Sequence, residues 1–422
     1  MKRWVPASVA LIVLAAGGFA LCPGGRLTAE SVALLAEVWA IGRGDFASGP
    51  AGAPLSHEYE GPDGTRRVAD LYCPDPGPPR ARLLLVHGLI ESGRGDTRLH
   101  ALGRAFARRG FLVMVPDFPG MRALRAGRGD IGEVRAAIGT VGRLRACAGG
   151  PEGPSGAGRP ARALPTGVVG FSYSAGPVLL AIDRRPPGVE FAVLFGGYYD
   201  LAEVLLFLTT GRHRDGAAEY EGETLPQGRW VLLAANAGTI ADPADRGALI
   251  GIARRRIADP EAPIDDLLPA LHGPSRALLD LVMNSDPARF EPLLRAAGPD
   301  LRKVLDDLSP SRSLSGPLDV DLYLLHGRSD VVVPYTQSLK MSREVSTSGS
   351  IRLALLGGFR HARPDGTAGE PWWSSAARHP GDSIRLLGII REILTRRASP
   401  STSPGESAFS RGAGPSSRGA AG

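Results

Sequence analysis

Lysine is nearly absent: Lys2, Lys303 and Lys340 are the only ones in 422 residues. The formal charge of +6 therefore comes from arginines scattered among 43 acidic residues, and only Arg254, Arg255 and Arg256 form a run of three. A surface that tracks phosphates needs concentrated positive charge, so this balance gives no case for a nucleic-acid partner. Cysteine is equally sparse. Cys22, Cys73 and Cys147 make no CxxC pair and no repeated Cys/His spacing, which excludes a thioredoxin-like site and a zinc ribbon and leaves pairing of Cys73 with Cys147 open. The eight histidines form no HExxH or comparable cluster, and no GK[ST] closes the stretch Glu91 to Asp96. Neither a metal nor a nucleotide cofactor is expected. Arg-Gly-Asp occurs at Arg43, Arg94 and Arg128, which reads as coincidence in a chain rich in both Arg and Gly. Glycine (56) and proline (36) are plentiful but follow no Gly-x-x period, so collagen is excluded and structureless stretches are expected.

The two ends differ from the middle. The chain opens MKRW and continues VPASVALIVLAAGGFALC, a basic start followed by an apolar run. Residues 1–22 are expected to be a signal peptide or a membrane anchor, which puts the rest outside the cytoplasm. A lipoprotein at Cys22 is disfavoured by Leu21, which is large for the position before a lipidated cysteine. Residues 23–54 read as a linker or N-terminal extension. Residues 398–422 hold almost nothing to bury and are expected to be a disordered tail. The breaker-rich stretch from Gly149 to Pro165 reads as an exposed loop inside the domain at 55–397.

Within that domain, short apolar runs alternate with amphipathic segments. HEYE and RRVADLYCP flank Gly61-Pro62-Asp63-Gly64, a hairpin signal. RLLLVHG, FLVMVPD, TGVVGFS, VEFAVLFGG, DVDLYLLHGRSD and IRLALLGGF follow as buried strands, separated by segments of helical period. Such strands need a sheet covered on both faces, so the fold class is α/β, mostly parallel after the hairpin. Between FAVLFGG and DLYLLHG lie more than a hundred residues, mostly helical in period. This region, 200–317, is a candidate cap over the carboxyl edge of the sheet.

The strongest local feature is VVGFSYSAG. Its strand stops at Gly170, Ser172 occupies the turn, and a helix begins near Ser174, Ala175 and Gly176. A sharp strand-to-helix reversal exposes the central hydroxyl beside the free N–H groups of the helix start, which suits a nucleophile. The alternative is an ordinary N-cap serine. Asp330 and His361 each follow a late strand, so both fall at the same sheet edge as Ser172. His361 would then act as general base and acid, and Asp330 would orient the imidazole. His87-Gly88-Leu89 ends an early strand, where Gly88 would let the Leu89 amide approach a carbonyl oxygen, with the Tyr173 amide as second donor. His87 would organise this loop. Competing assignments are Ser174 as nucleophile, Asp200 as acid and His379 as base. Asp117 reads as a carboxylate tying down backbone N–H groups near Pro119 and Gly120, and His326 as a satisfied core imidazole.

In this order, His-Gly-x, VPDFPG, GFSYSAG, HGRSDVVVP and GGFRH resemble the α/β-hydrolase family over roughly His57 to Leu394. The resemblance implies a mostly parallel eight-stranded sheet with a helical cap inserted after the sixth strand. It also implies serine hydrolysis of a small-molecule ester or amide, through an acyl-enzyme and without metal or cofactor. The chain departs from the family's Gly-x-Ser-x-Gly in carrying Ser174 at the last position. Esterase or lipase-like action is expected ahead of peptidase or amidase action. The alternative class is a fold relative that binds a ligand or partner without turnover.

Overall fold

A computed structural model describes residues 23–42, 54–74, 77–145, 164–357, 361 and 380–396. The expected leader or anchor at 1–22, most of the loop at 149–163, His379 and the tail at 398–422 lie outside the described residues. Among the described residues no helix is long and apolar enough to cross a membrane.

The chain begins with α1 (Pro23–Gly42) and the hairpin β1 (Leu55–Glu60) and β2 (Arg66–Tyr72). Its tight turn carries Gly64 at φ +75°, which a side chain would strain, and the Thr65 amide is held by Asp63. Next come β3 (Ala81–Val86), α2 (Thr97–Ala107), β4 (Phe111–Pro116), α3 (Gly129–Arg143), β5 (Thr166–Phe171), α4 (Ala175–Ile182) and β6 (Val189–Phe195). An insert follows, containing α5 (Leu201–Thr210), the hairpin β7 (Arg212–Asp215) and β8 (Ala218–Glu221), α6 (Pro226–Asn236), α7 (Pro243–Ala258), α8 (Gly273–Met283), α9 (Pro287–Ala296) and α10 (Pro299–Leu308). The sheet resumes with β9 (Asp321–Gly327), α11 (Thr336–Glu344), β10 (Ile351–Leu356) and α12 (Pro380–Thr395).

Eight strands form one sheet in the order β1-β2-β4-β3-β5-β6-β9-β10. β2 pairs antiparallel with both β1 and β4, and every other pairing is parallel. The apolar runs are explained by what covers them. Along β3, Leu84 and Val86 join the core on one face while Leu83 and Leu85 join the core on the other, the period-two alternation of a strand buried on both sides. Each such side chain stabilises the fold by about 1.5–3 kcal/mol. Leu322 and Leu324 of β9 likewise oppose Tyr323 and Leu325.

The stretch expected as a linker or extension, 23–54, is in part a docked helix. Leu34, Leu35 and Trp39 of α1 are buried in one apolar cluster with Leu386, Ile389, Ile390 and Ile393 of α12. Glu37 holds the helix to the residues that end α2 by ion pairs to Arg108 (2.7 Å) and Arg109 (2.9 Å). The amphipathic pattern, flanked by glycines, finds its cover in α2 and in the C-terminal helix, both distant along the chain, which local reading cannot supply. The insert is mostly helical, and beside its helices β7 and β8 form a separate two-stranded sheet. Its Trp230, Leu233, Leu249 and Leu279 belong to the same cluster as Leu84, Val168 and Leu194 of the main sheet. Cys73 is disulfide-bonded, its partner lying outside the described residues.

Candidate active site

At the end of β5 the chain reverses through a single 3-10 turn, Ser172–Ser174, into α4. Ser172 has φ +55°, a left-handed conformation that costs a side-chain-bearing residue about 1–2 kcal/mol. Gly170 permits the helix to fold back on the strand, since a Cβ there would sit 3.1 Å from Val178 Cγ2 and 3.2 Å from Ala175 Cα.

The turn brings Ser172 Oγ to 2.9 Å from His361 Nε2, and His361 Nδ1 lies 2.8 Å from Asp330 Oδ2. A carboxylate only accepts, so Nδ1 carries the proton and Nε2 presents its lone pair to the serine hydroxyl. Three residues expected at one sheet edge thus meet. Asp330 is buried, and its other oxygen accepts the amides of Val332 (2.8 Å) and Val333 (2.9 Å). Burial pushes this carboxyl up, but the positive charge available on His361 and bonds from His326 and His361 outweigh it and hold the carboxyl well below the usual range.

His326, fully buried, has Nε2 2.9 Å from the Val333 carbonyl and Nδ1 2.7 Å from Ser338 Oγ. It is a satisfied core imidazole, and it braces the loop carrying the acid. Gly196, which no sequence motif singles out, lies under the pair. A Cβ there would be 3.4 Å from Asp330 Oδ2 and 3.5 Å from His361 Nδ1, and its φ is +60°. The signal was the Gly-Gly pair directly after an apolar strand.

His87-Gly88-Leu89 lies against the same turn. A Cβ on Gly88 would stand 3.0 Å from the Phe171 carbonyl oxygen, 3.4 Å from Ser172 Cβ and 3.8 Å from the Tyr173 nitrogen. His87 is buried, accepts the Phe118 amide at Nε2 (3.2 Å) and points Nδ1 at the Gly88 carbonyl (2.8 Å). Burial lowers its pKa, which favours the neutral ring. Its position fits an organiser of the loop.

Of the competing residues, Ser174 and Asp200 are engaged elsewhere. The Ser174 hydroxyl is buried and bonded to main chain. Asp200 caps α5 through the amides of Ala202 (3.0 Å) and Glu203 (3.2 Å). Asp117 has a tethering role, but its partners are the Arg122 guanidinium (2.7 Å) and the Arg94 amide (3.4 Å), in place of the amides expected near Pro119 and Gly120. Beneath the turn, the Tyr173 hydroxyl donates to Asp130 (2.7 Å) and its ring stacks on Tyr198.

The insert touches loops at the carboxyl end of the sheet. The Leu225 amide donates to Val331 (2.8 Å), beside Asp330, and the Ala126 amide after β4 donates to Ala235 of α6 (3.1 Å). A cavity of about 310 Å³ lies between the β7–β8 hairpin and the Asp330 loop, lined by Phe207, His213, Tyr220, Arg328, Val331 and Tyr335 among others. A larger one, about 470 Å³, lies within the insert and includes none of the three meeting side chains.

No protein-family model matches the chain, and no curated protein matches it. Among solved structures it is similar to an acylaminoacyl peptidase in complex with Z-Gly-Gly-Phe-chloromethyl ketone, with 12% identity, a TM-score of 0.44 and 82% of this chain covered. The match spans 41% of that peptidase's length. It is also similar to Est1E from Butyrivibrio proteoclasticus (11% identity, TM-score 0.40, covering 80% of this chain and 97% of that one). A dienelactone hydrolase from Anabaena variabilis gives 11% identity and a TM-score of 0.39, covering 82% of this chain and 100% of that one.

Proposed function

We propose that this chain, which has the α/β-hydrolase fold, is a serine hydrolase that cleaves a carboxylic ester or related acyl compound. The observation that carries the reading is the continuous contact from Ser172 Oγ through His361 to the buried Asp330. Ser172 attacks the acyl carbon while His361 Nε2 takes the hydroxyl proton, and Asp330 stabilises the imidazolium. The oxyanion formed is held by the Leu89 and Tyr173 amides. Collapse of the tetrahedral adduct breaks the bond to the leaving group, which receives the proton from His361 and departs. A water then loses its proton to His361 and attacks the acyl-Ser172 ester. The acid leaves as the proton returns to Ser172.

The insert serves as the cap over this site, a role supported by its bonds to the loops after β4 and β9. We also assign the domain to a compartment outside the cytoplasm, reached through residues 1–22. The disulfide at Cys73 favours that reading.

The test is labelling with a fluorophosphonate, followed by hydrolysis of a series of p-nitrophenyl acyl esters. The wild-type chain is expected to label, Ser172→Ala not to label, and His361→Ala to label slowly. A folded wild-type chain that neither labels nor hydrolyses any of the esters would overturn the proposal.

A further inference from the structure

The register of β3 against β5 sets Val86 opposite Gly170. In a parallel ladder the next rung would run from the Phe171 amide to the Val86 carbonyl. The Ser174 hydroxyl bonds both of these groups. It accepts the Phe171 N–H at 2.8 Å, and its own proton is shared between the carbonyls of Val86 (2.8 Å) and Phe171 (3.0 Å). Its side chain is fully buried, so no water competes for these bonds.

Val86 is the residue directly before His87-Gly88-Leu89, and Phe171 is the residue directly before Ser172. One hydroxyl therefore fastens the strand end that launches the turn to the strand end that launches the neighbouring loop. The bridge lies beside Ser172, whose backbone is strained at φ +55°, a conformation that persists only where the surroundings over-determine it. Gly88, meanwhile, approaches close enough that a Cβ would stand 3.4 Å from Ser172 Cβ.

We propose that Ser174 is a positioning residue, whose hydroxyl sets the nucleophile Ser172 and the oxyanion-binding loop in register with one another. The inference rests on the hydrolase reading above, and it gives the departure from Gly-x-Ser-x-Gly a purpose. A glycine in that place leaves the last rung without the bridging hydroxyl. Ser174 touches no reacting atom. It acts through the backbone on either side of it.

The test compares wild type with Ser174→Ala, which removes only the hydroxyl, and with Ser174→Gly. Three readouts are taken: kcat and KM on the best p-nitrophenyl ester, the rate of fluorophosphonate labelling, and the melting temperature. Misplacing a reacting group by a fraction of an ångström to one ångström lowers rates by about 10- to 100-fold. Ser174→Ala is thus expected to lose about that much in kcat and in labelling rate, with KM little changed. Ser174→Gly is expected to lose at least as much. Should both folded variants keep kcat and labelling within about twofold of wild type while only the melting temperature falls, Ser174 is a stabilising residue and the proposal is wrong. Failure of the hydrolase reading looks different, because then the wild type itself neither labels nor turns over.

Discussion

His326 Nε2 lies 3.5 Å from Asp330 Oδ2, so the acid of the candidate triad is flanked by two imidazoles, one facing the nucleophile and one facing the core. His326 also holds the chain beyond Asp330 through the Val333 carbonyl and the Ser338 hydroxyl of α11. Replacing it with Leu, of similar size, leaves the Val333 carbonyl and the Ser338 hydroxyl without this partner. Each buried group orphaned in this way costs about 1–3 kcal/mol. Urea unfolding of His326→Leu is expected to show a lower midpoint with an unchanged slope. Stability equal to wild type would mean that the loop is held by other contacts.

Asp330 makes a second prediction, on acid stability. Burial opposes its ionisation, but His361 and the bonds it accepts hold the native pKa well below the unfolded value. The unfolded chain therefore takes up the proton first. The contribution of Asp330 is complete above the ordinary carboxylate range and is lost as pH falls from about 4 toward the lower native value. Melting temperatures between about pH 6 and pH 3 should fall less steeply for Asp330→Asn than for wild type. Parallel curves would show that the ion pair adds nothing.

Asp130 should behave in the opposite sense. Burial raises its pKa, and the bonds from Tyr173 and Gly127 offset only part of the rise. The native chain holds this proton longer than the unfolded chain does, so stability is lost as pH climbs from the ordinary carboxylate range through the native pKa. Its Oδ2 accepts both Gly127 N–H (3.0 Å) and Tyr173 O–H (2.7 Å), and an asparagine oxygen can do the same. Relative to wild type, Asp130→Asn is expected to gain melting temperature on going from about pH 4 to about pH 7.5. A relative loss over that interval would contradict the assignment.

Gly88 is required by space. A methyl group placed on its Cα would meet the Phe171 carbonyl oxygen at 3.0 Å, tighter than ordinary packing allows, and would touch Ser172 Cβ at 3.4 Å. Gly88→Ala should push the loop away from the turn and cut the labelling rate by about 10-fold or more, with a small change in melting temperature. Normal labelling would show that the loop relaxes without moving its amides.

What the sequence made legible was whatever local pattern encodes. The buried strands show as apolar runs because both faces of the sheet are covered. Ser172, Asp330 and His361 stand out because each follows such a run within a few residues. Most of the misses come from partners distant along the chain. The stripe of α1 had no visible cover until α2 and α12 were packed on it. The hairpin β7–β8 carries charged, mostly exposed side chains, RHRD and AEYE, so it shows no apolar alternation, although Asp215-Gly216 is a turn signal. The tie from Asp117 to Arg94 and the place of Gly196 under His361 depend on loops meeting in space. Ser174 was legible as a departure from a pattern, while its use became visible only with the register of β3 on β5.

The packing of α1 on α12 works as a clasp. The chain is a belt whose first and last described helices are fastened to each other, so an apolar face bared at one end is also bared at the other. Clipping within either helix would loosen both, and loosening α12 would bare the sheet edge carrying β10, on which it packs. Because the two helices are already neighbours, the covalent order of the chain matters less than their embrace.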